Sequence, residues 1–273
     1  MKKLMFAAVA GICATVACAD VSSANIVGYN NVFVKGNKMN LLCVNWNSVG
    51  KEIGTLNEVM DRKPLVTIGD DENGDYINTW DMENGDWGPV YYYCRRPDWN
   101  DPSAPEYDYS DTWIDADYIP GDIEMESGSS FWLYHKGENI ECLSFAGQVA
   151  TGVHGYTLRG GKMNLCGNPY PTLLDLRKSA GQVVIANATT IGDDENGDYV
   201  NTWDLETADW GPVYYYCNRP DWNDPSAPEY DYADTWIDAD YIPGSTGIQA
   251  GAGFWYFAKN PGVTLTFTEI ETK

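Results

Sequence analysis

Short apolar and aromatic segments, each bounded by turn residues, recur along the whole chain. Several of them alternate apolar with polar positions or form brief apolar runs, which is typical of β-strands. The strand-like segments are residues 32–34, 39–46, 76–80, 87–94, 128–134, 140–145, 251–257 and 263–267. Asn84 and Gly85 separate two of them and are a strong hairpin signal. The pattern predicts an all-β fold.

One segment of the first half has a helical pattern. The apolar residues between positions 49 and 60 recur every three or four positions, so they would share one face of a helix. The segment is short, and Gly54 lowers its helix propensity. We therefore expect at most one short helix in this half.

A stretch of 55 residues occurs twice. Residues 67–121 are repeated as residues 190–244, with six substitutions. The substituted pairs are Ile77/Val200, Met82/Leu205, Asn84/Thr207, Gly85/Ala208, Arg95/Asn218 and Ser110/Ala233. Both copies are rich in acids and aromatic rings, and each contains a Pro- and Asp-rich segment that predicts a long loop. Weaker similarity on both sides extends the duplication, which predicts two tandem homologous domains, residues 20–147 and 148–273.

Several short motifs resemble those of a known class of modules. Residues 163–171 resemble the NLVGNPYP signature of β-sandwich-like modules in secreted and surface bacterial proteins. Residues 128–134 and 251–256 resemble the glycine-aromatic strand of those modules, and residues 25–29 are similar to the start of related tandem modules in exported proteins. The first copy departs from the signature at residues 44–47. The resemblance implies an exported protein with two β-sandwich-like domains, and it brings no catalytic residues. The long acidic, aromatic-rich loops predicted above exceed the usual hairpin of such modules.

The N-terminus has the pattern of a secretory signal peptide. Two lysines precede an apolar run over residues 4–17, and the sequence Ala-Cys-Ala at residues 17–19 fits the small-residue cleavage rule. Cleavage after Ala19 would remove residues 1–19 and release a secreted protein. Lipidation at Cys18 is the alternative.

The formal net charge of −23 argues against several classes of partner. Nucleic acids and anionic membrane surfaces would both repel the chain. No second apolar stretch follows the signal peptide, so membrane insertion is not expected. Cations, basic proteins and neutral polymers such as extracellular glycans are the partners that the charge permits.

Five of the seven cysteines remain after the predicted cleavage. Cys94 and Cys217 are equivalent in the two copies, and Cys43 and Cys166 are near-equivalent. The simplest arrangement for an exported protein is one disulfide within each copy. The pairs would be Cys43–Cys94 and Cys166–Cys217. Buried free thiols are the alternative. Cys142 has no counterpart, so it either pairs between molecules or is buried.

An acidic turn in each copy has the composition of a calcium site. The candidate ligands are Asp70, Asp71, Asn73 and Asp75 in the first copy and Asp193, Asp194, Asn196 and Asp198 in the second. Calcium takes about six to eight oxygen ligands and tolerates irregular geometry, so such a turn suits it. The spacing is not that of an EF-hand. A solvated acidic turn without metal is the alternative.

Four tryptophans are candidates for binding a ligand. They are Trp99 and Trp113 and their copies Trp222 and Trp236, which lie in or beside the predicted polar loops. An exposed indole could stack on a sugar face while neighbouring polar groups bind the hydroxyls. It could equally bind a protein. Trp80, Trp87 and Trp132 lie on strand-like segments and are predicted to belong to the core.

No catalytic arrangement stands out. His135 and His154 are the only histidines, neither has a histidine counterpart, and no nucleophile motif accompanies them. The strand predicted over residues 26–34 could add to a neighbour's sheet and, with Cys142, join copies of the chain. The sequence therefore predicts a secreted, non-enzymatic structural or interaction protein of the cell surface or extracellular matrix. Self-assembly and calcium-stabilised loops are further hypotheses, and a carbohydrate-binding protein is the alternative function.

Overall fold

The computed structural model describes residues 27–51, 53–69, 74–149, 154–192 and 197–268. In the first repeat, before residue 150, the strands are β1 (Val27–Val34), β2 (Lys38–Cys43), β3 (Gly54–Thr55), β4 (Tyr76–Asp81), β5 (Asp86–Cys94), β6 (Thr112–Ile114), β7 (Pro120–Gly121), β8 (Glu124–Met125), β9 (Ser130–His135) and β10 (Ile140–Gln148). In the second repeat they are β11 (His154–Thr157), β12 (Lys162–Gly167), β13 (Val183–Ala186), β14 (Tyr199–Asp204), β15 (Asp209–Cys217), β16 (Thr235–Ile237), β17 (Gly253–Ala258) and β18 (Thr264–Phe267).

Helix in the described chain is limited to α1 (Leu56–Val59) and the short 3-10 turns Pro97–Trp99, Lys178–Ala180 and Pro220–Trp222. The predicted all-β fold is confirmed. The predicted signal peptide lies outside the described residues.

Each repeat is built on one large antiparallel sheet. Its strand order is β2-β9-β4-β5-β6-β7 in the first repeat and β12-β17-β14-β15-β16 in the second. A smaller sheet accompanies it, β1-β10 in the first repeat and β11-β18-β13 in the second. Leu42 and Phe131 of the large sheet and Leu143 and Phe145 of β10 are fully buried in the same core. Two sheets that share a core in this way give a sandwich-like fold.

The local pattern predicts the strands better than the helix. The predicted hairpin is formed by β4 and β5, with Asp81 opposite Asp86. The helix predicted over residues 49–60 is mostly wrong, because only the four residues Leu56–Val59 are helical. Gly54 belongs instead to β3, where a Cβ atom would lie 1.8 Å from the Oγ of Ser48. The glycine is therefore needed for close packing of a strand.

The two repeats pack against each other through reciprocal contacts. Trp80 of the first repeat meets Trp255 of the second at a ring-centroid distance of 4.7 Å. Their counterparts, Trp203 and Trp132, meet at 4.8 Å. Such reciprocity is the pattern of a two-fold interface. Buried side chains of both repeats form one continuous hydrophobic cluster. The division into two domains at residues 147 and 148 stays a prediction.

The predicted disulfides are wrong, because the strand order holds the paired positions apart. Cys43 ends β2 and Cys94 ends β5, so three strand spacings, about 14 Å, separate them across the sheet. A disulfide needs Cα atoms within about 7 Å of each other. Cys166 and Cys217 are separated in the same way by β17 and β14. All four are buried free thiols, as in the alternative interpretation.

The strand register also corrects the equivalence of the cysteines. Cys43 lies opposite Ser130, and Gly167 lies opposite Gly253, the counterpart of Ser130. Cys43 therefore corresponds to Gly167 rather than to Cys166. The Sγ atom of Cys43 packs against the second repeat at that glycine, where a Cβ atom would lie 2.2 Å from the sulfur. A glycine in one repeat makes room for a thiol from the other.

The thiols should differ sharply in reactivity. Cys142 is exposed on β10, whereas the four other described cysteines are buried. Burial raises the pKa of Cys43 to about 12 and that of Cys94 to about 11, and the thiolate is the reactive form. In the protein cleaved after Ala19, we expect one thiol to react quickly with a small aromatic disulfide and all five to react after unfolding in urea. The variant Cys142→Ser should lose the fast reaction, and two fast thiols in the native protein would contradict the structure.

Candidate functional site

The Pro- and Asp-rich loops connect β5 to β6 and β15 to β16. We define the first loop surface as residues 96–119, which comprise this loop, β6 and the turn after it, and the second as residues 219–242, which comprise the matching loop, β16 and the turn after it. At the base of the first, Arg96 N donates to the carbonyl of Tyr109 at 2.7 Å, and Tyr109 N donates to Asn100 Oδ1 at 2.8 Å. The second loop surface has the same two bonds. Both loops are therefore ordered by their own hydrogen bonds, as their turn-forming residues predict.

Acidic side chains of the loop surfaces accept hydrogen bonds from the turns around them. The Nη2 of Arg96 donates to Asp98 Oδ2 at 2.8 Å, and Ser103 donates to Asp101 Oδ1 through both its N and its Oγ at 2.8 Å. These donors lower the pKa of Asp98 and of Asp101, because they stabilise the ionised carboxylate. Both residues are exposed. The loop surface therefore keeps its negative charge well below neutral pH.

Trp99 and its copy Trp222 are half-buried and already have ring partners. The guanidinium carbon of Arg96 lies 4.8 Å from the ring centroid of Trp99, a cation–π contact. Tyr109 and Tyr118 approach the same indole at centroid distances of 5.9 and 6.2 Å. Trp222 has an equivalent arginine over its ring at 4.8 Å. A role of these two rings in ligand binding stays a prediction.

Trp113 and Trp236 are fully buried, so their predicted role in ligand binding is wrong. Each stands in a three-residue strand, β6 or β16, which pairs with the end of the preceding hairpin. The Nε1 of Trp236 donates to the carbonyl of Leu176 at 3.2 Å. A three-residue strand contains too little alternation of apolar and polar residues to be distinguished in the sequence from the polar loop beside it.

The exposed tryptophans are Trp87 and Trp210, at 53% and 48% exposure, although the strand pattern predicts that Trp87 is core. They lie opposite Trp80 and Trp203 in their hairpins, at centroid distances of 5.4 and 5.1 Å. Because Trp80 and Trp203 belong to the contact between the repeats, the exposed indoles lie at its rim. The prediction that Trp132 is core is confirmed.

Exposed apolar side chains lie in the turn that ends each loop surface. Tyr118 and Ile119 are 41% and 48% exposed. Tyr118 has a φ angle of +62°, which is uncommon for any residue but glycine. Asp115 holds this turn, because its Oδ1 accepts hydrogen bonds from the backbone N–H groups of Asp117 and Ile119, both at 2.9 Å. The copy of the turn in the second repeat has the same φ angle and the same two bonds.

Two of the predicted calcium ligands, Asp75 and Asp198, are described, and both are fully buried. The protein itself supplies donors to Asp75. Lys136 N donates to its Oδ1 at 2.8 Å, and Val66 N donates to its Oδ2 at 3.0 Å. Because Val66 lies just before the acidic turn, these bonds anchor the base of that turn. The structure thus gives Asp75 a structural role.

The other six predicted ligands lie outside the described residues. They are Asp70, Asp71, Asn73, Asp193, Asp194 and Asn196. Within the described ranges, no group of three or more His, Cys, Asp and Glu side chains is placed to hold a metal ion. Calcium binding stays a prediction.

His135 is buried between two hydrogen-bond acceptors. Its Nδ1 lies 2.7 Å from Asp75 Oδ2, and its Nε2 lies 2.7 Å from the carbonyl oxygen of Glu138. Carboxylate and carbonyl oxygens only accept hydrogen bonds, so both ring nitrogens carry a proton and the ring is an imidazolium. Burial alone would lower the pKa of His135, but the hydrogen bond and charge of Asp75 outweigh it and raise that pKa. Asp75 and His135 thus form a buried ion pair.

A hollow of about 190 Å³ opens beside the second loop surface. It is lined by Ile191, Tyr215, Asp238, Ala239 and Tyr241. The corresponding residues of the first repeat are Ile68, Tyr92, Asp115, Ala116 and Tyr118, which are the same residue types. Sequence reasoning missed this set, because its members come from three segments that only the fold brings together. Two aromatic rings, an aliphatic wall and one carboxylate can bind a cation with an apolar stem.

A larger groove of about 890 Å³ separates β1 from the β14–β15 hairpin turn. Lys35 and Lys38 line it on the first repeat, together with Glu141. Glu206 lines it on the second repeat. Charges of both signs therefore lie along the seam between the repeats, where they offset one another.

Comparison of the chain with protein-family models, characterised proteins and solved structures finds no match. The resemblance to β-sandwich-like modules of exported proteins stays a prediction. No helix in the described part of the chain is long and apolar enough to cross a bilayer.

Proposed function

We propose that the chain is a secreted, non-enzymatic interaction protein that presents the same loop surface twice. The observation that carries this proposal is the exposure of apolar side chains on well-ordered loops. The exposed residues are Tyr107, Tyr118 and Ile119 in the first loop surface and Tyr230, Tyr241 and Ile242 in the second. Hydrogen bonds hold these loops without burying those side chains. Clustered apolar side chains that the fold leaves in water favour contact with another molecule.

Ordered loops suit recognition for an energetic reason. A partner that binds a flexible loop must offset the entropy lost when the loop becomes ordered, whereas a loop held by its own hydrogen bonds has already lost it. Two copies on one chain add a second effect. Once one surface is bound, the other meets the same partner at a high effective concentration, which can raise the avidity by about 10²–10⁴.

The partner is expected at the cell surface or in the extracellular matrix. The carboxylates around the exposed apolar residues favour a basic protein, because their charge attracts cations and repels anionic polymers. A carbohydrate partner is the second candidate. It is favoured by the exposed indoles of Trp87 and Trp210, whose position at the rim of the inter-repeat contact leaves ring surface for stacking.

Serine substitution of exposed residues on both loop surfaces tests the proposal. The quadruple variant is Tyr107→Ser, Ile119→Ser, Tyr230→Ser and Ile242→Ser. When producing cells are fractionated, we expect the wild type in the surface or matrix fraction and the variant in the medium. The amount of variant retained by the cells should be at least about tenfold lower, since a few large side chains supply most of the binding energy of an interface. Variants with only one altered surface should fall between the two, because they keep a single contact.

Two exposed apolar residues outside the loop surfaces provide the control. Leu173 and Val184 are 54% and 58% exposed, so Leu173→Ser/Val184→Ser changes surface hydropathy at positions outside the two loop surfaces. This control should be retained to within about twofold of the wild type. Retention of the quadruple variant at the wild-type level would overturn the proposal, as would an equal loss in the control.

A further inference from the structure

The hollow beside the second loop surface has the volume and composition of a pocket for one basic side chain. We propose that it, and the matching set in the first repeat, binds the guanidinium or ammonium group of an arginine or lysine on the partner protein. This proposal rests on the proposed function and specifies which chemical group of the partner protein is bound.

The walls of the hollow fit the two parts of a basic side chain. Ile191 is buried and offers aliphatic surface for the methylene stem. Tyr215 and Tyr241 offer aromatic rings for the charged end, and cations bind to such rings. The same chemistry already operates beside the hollow, where the guanidinium of Arg219 lies 4.8 Å from the ring centroid of Trp222.

Asp238 supplies the matching charge in a fixed position. The backbone N–H groups of Asp240 and Ile242 both donate to its Oδ1, each at 2.9 Å. Both bonds end on the same oxygen and lock the carboxylate, so Oδ2 is left to accept a donor from a ligand. A preorganised carboxylate of this kind forms strong charge-assisted hydrogen bonds with guanidinium.

The volume of the hollow and the electrostatic field of the protein both favour the same ligand. A volume of about 190 Å³ accommodates one side chain and excludes a folded element. The net charge of −23 draws cations toward the surface from a distance. Tyr241, at a φ angle of +62°, is held in an uncommon backbone conformation, so the surrounding bonds rather than local preference place its ring beside the hollow.

The experiment is an NMR titration of the whole mature protein with two small probes at low salt. Nα-acetyl-argininamide carries the proposed cation, and Nα-acetyl-citrullinamide has nearly the same shape without the charge. We expect amide shifts that saturate for residues 191, 215 and 238–241 with the arginine probe, and at least tenfold weaker binding of the citrulline probe. Equal binding of the two probes, or shifts confined to other residues, would overturn the proposal.

A pair of matched variants separates the pocket from the overall charge. Asp115→Asn/Asp238→Asn removes the pocket carboxylates and keeps an oxygen acceptor for the backbone bonds. Asp117→Asn/Asp240→Asn makes the same change of charge on the adjacent exposed acids. The first should weaken arginine binding at least tenfold, and the second by no more than about twofold. Similar weakening in both would overturn the pocket and leave only a general attraction of cations.

The outcomes distinguish this inference from the proposed function. Loss of cell-surface retention in the serine variant, with no arginine binding, would overturn the pocket and support the interaction role through other contacts. Arginine binding by a protein that is not retained by its cells would support the pocket and overturn the proposed function.

Discussion

Replacing Asp75 with alanine is expected to lower the free energy of unfolding by about 3–5 kcal/mol near pH 6, because it breaks a buried ion pair by removing one partner. The substitution leaves the His135 imidazolium in the interior without its carboxylate. It also removes the acceptor of the Val66 and Lys136 N–H groups. Urea denaturation of the wild type and the variant at pH 6 measures the difference.

The loss of unfolding free energy caused by Asp75→Ala should become smaller as the pH rises. In the folded protein the pKa of His135 lies above its ordinary value of 6.5. The stabilisation from the ion pair is therefore fully present below about pH 6.5 and is lost as the pH rises through the folded-state pKa. At pH 9 the variant buries a neutral imidazole instead of an unpaired cation. We expect a clearly smaller penalty there than at pH 6.

The second repeat supplies the control. Asp198 accepts hydrogen bonds from Lys259 N at 2.8 Å and from the Tyr256 hydroxyl at 3.0 Å, while Ala258 stands where the first repeat has His135. Since the described residues supply Asp198 with neutral hydrogen-bond donors, Asp198→Ala leaves those donors unpaired and should cost about 1–3 kcal/mol. A penalty for the first-repeat substitution no larger than this one at pH 6 would contradict the ion pair.

The strands could be predicted from the sequence because the signal for a strand is local. The hairpin of Tyr76–Asp81 and Asp86–Cys94 shows alternation, β-branched and aromatic residues, and turn residues between its arms, all within about twenty positions. The Pro and Asp content of residues 96–109 predicts the loop in the same way. Each of these features depends on residues that are close along the chain.

The candidate site could be predicted only in part, because it depends on contacts between distant segments. The sequence identifies the loops but not which of their aromatic rings are exposed. Trp113 is buried because its short strand pairs with β5, and Trp87 is exposed because its face of the hairpin lies at the rim between the repeats. The free, buried state of the thiols could not be predicted for the same reason. The strand order that separates Cys43 from Cys94 is not encoded in the local alternation of apolar and polar residues.

Gly167→Ala tests the contact between the repeats with the smallest possible change. A Cβ atom at Gly167 would lie 2.2 Å from the Sγ of Cys43, 2.3 Å from the carbonyl oxygen of Gly128 and 2.6 Å from the Oγ of Ser130. All three neighbours belong to the first repeat, and one is backbone, so the repeats must move apart to accept a single methyl group. Overpacking of this kind costs about 3 kcal/mol, which corresponds to a loss of about 6–12 °C in Tm for a chain of this size.

Gly244→Ala is the matched control, because a Cβ atom at Gly244 would meet nothing within 4 Å. Its Tm should stay within about 2 °C of the wild type, since a substitution that meets no neighbouring atom and lies away from special features has a small effect. The double variant Cys43→Ala/Gly167→Ala removes the sulfur but leaves the backbone carbonyl in place, so it should recover only part of the loss. If the Tm of Gly167→Ala equalled that of Gly244→Ala, the two repeats would not pack against each other at this glycine. The reciprocal tryptophan contacts between the repeats would then also be in doubt.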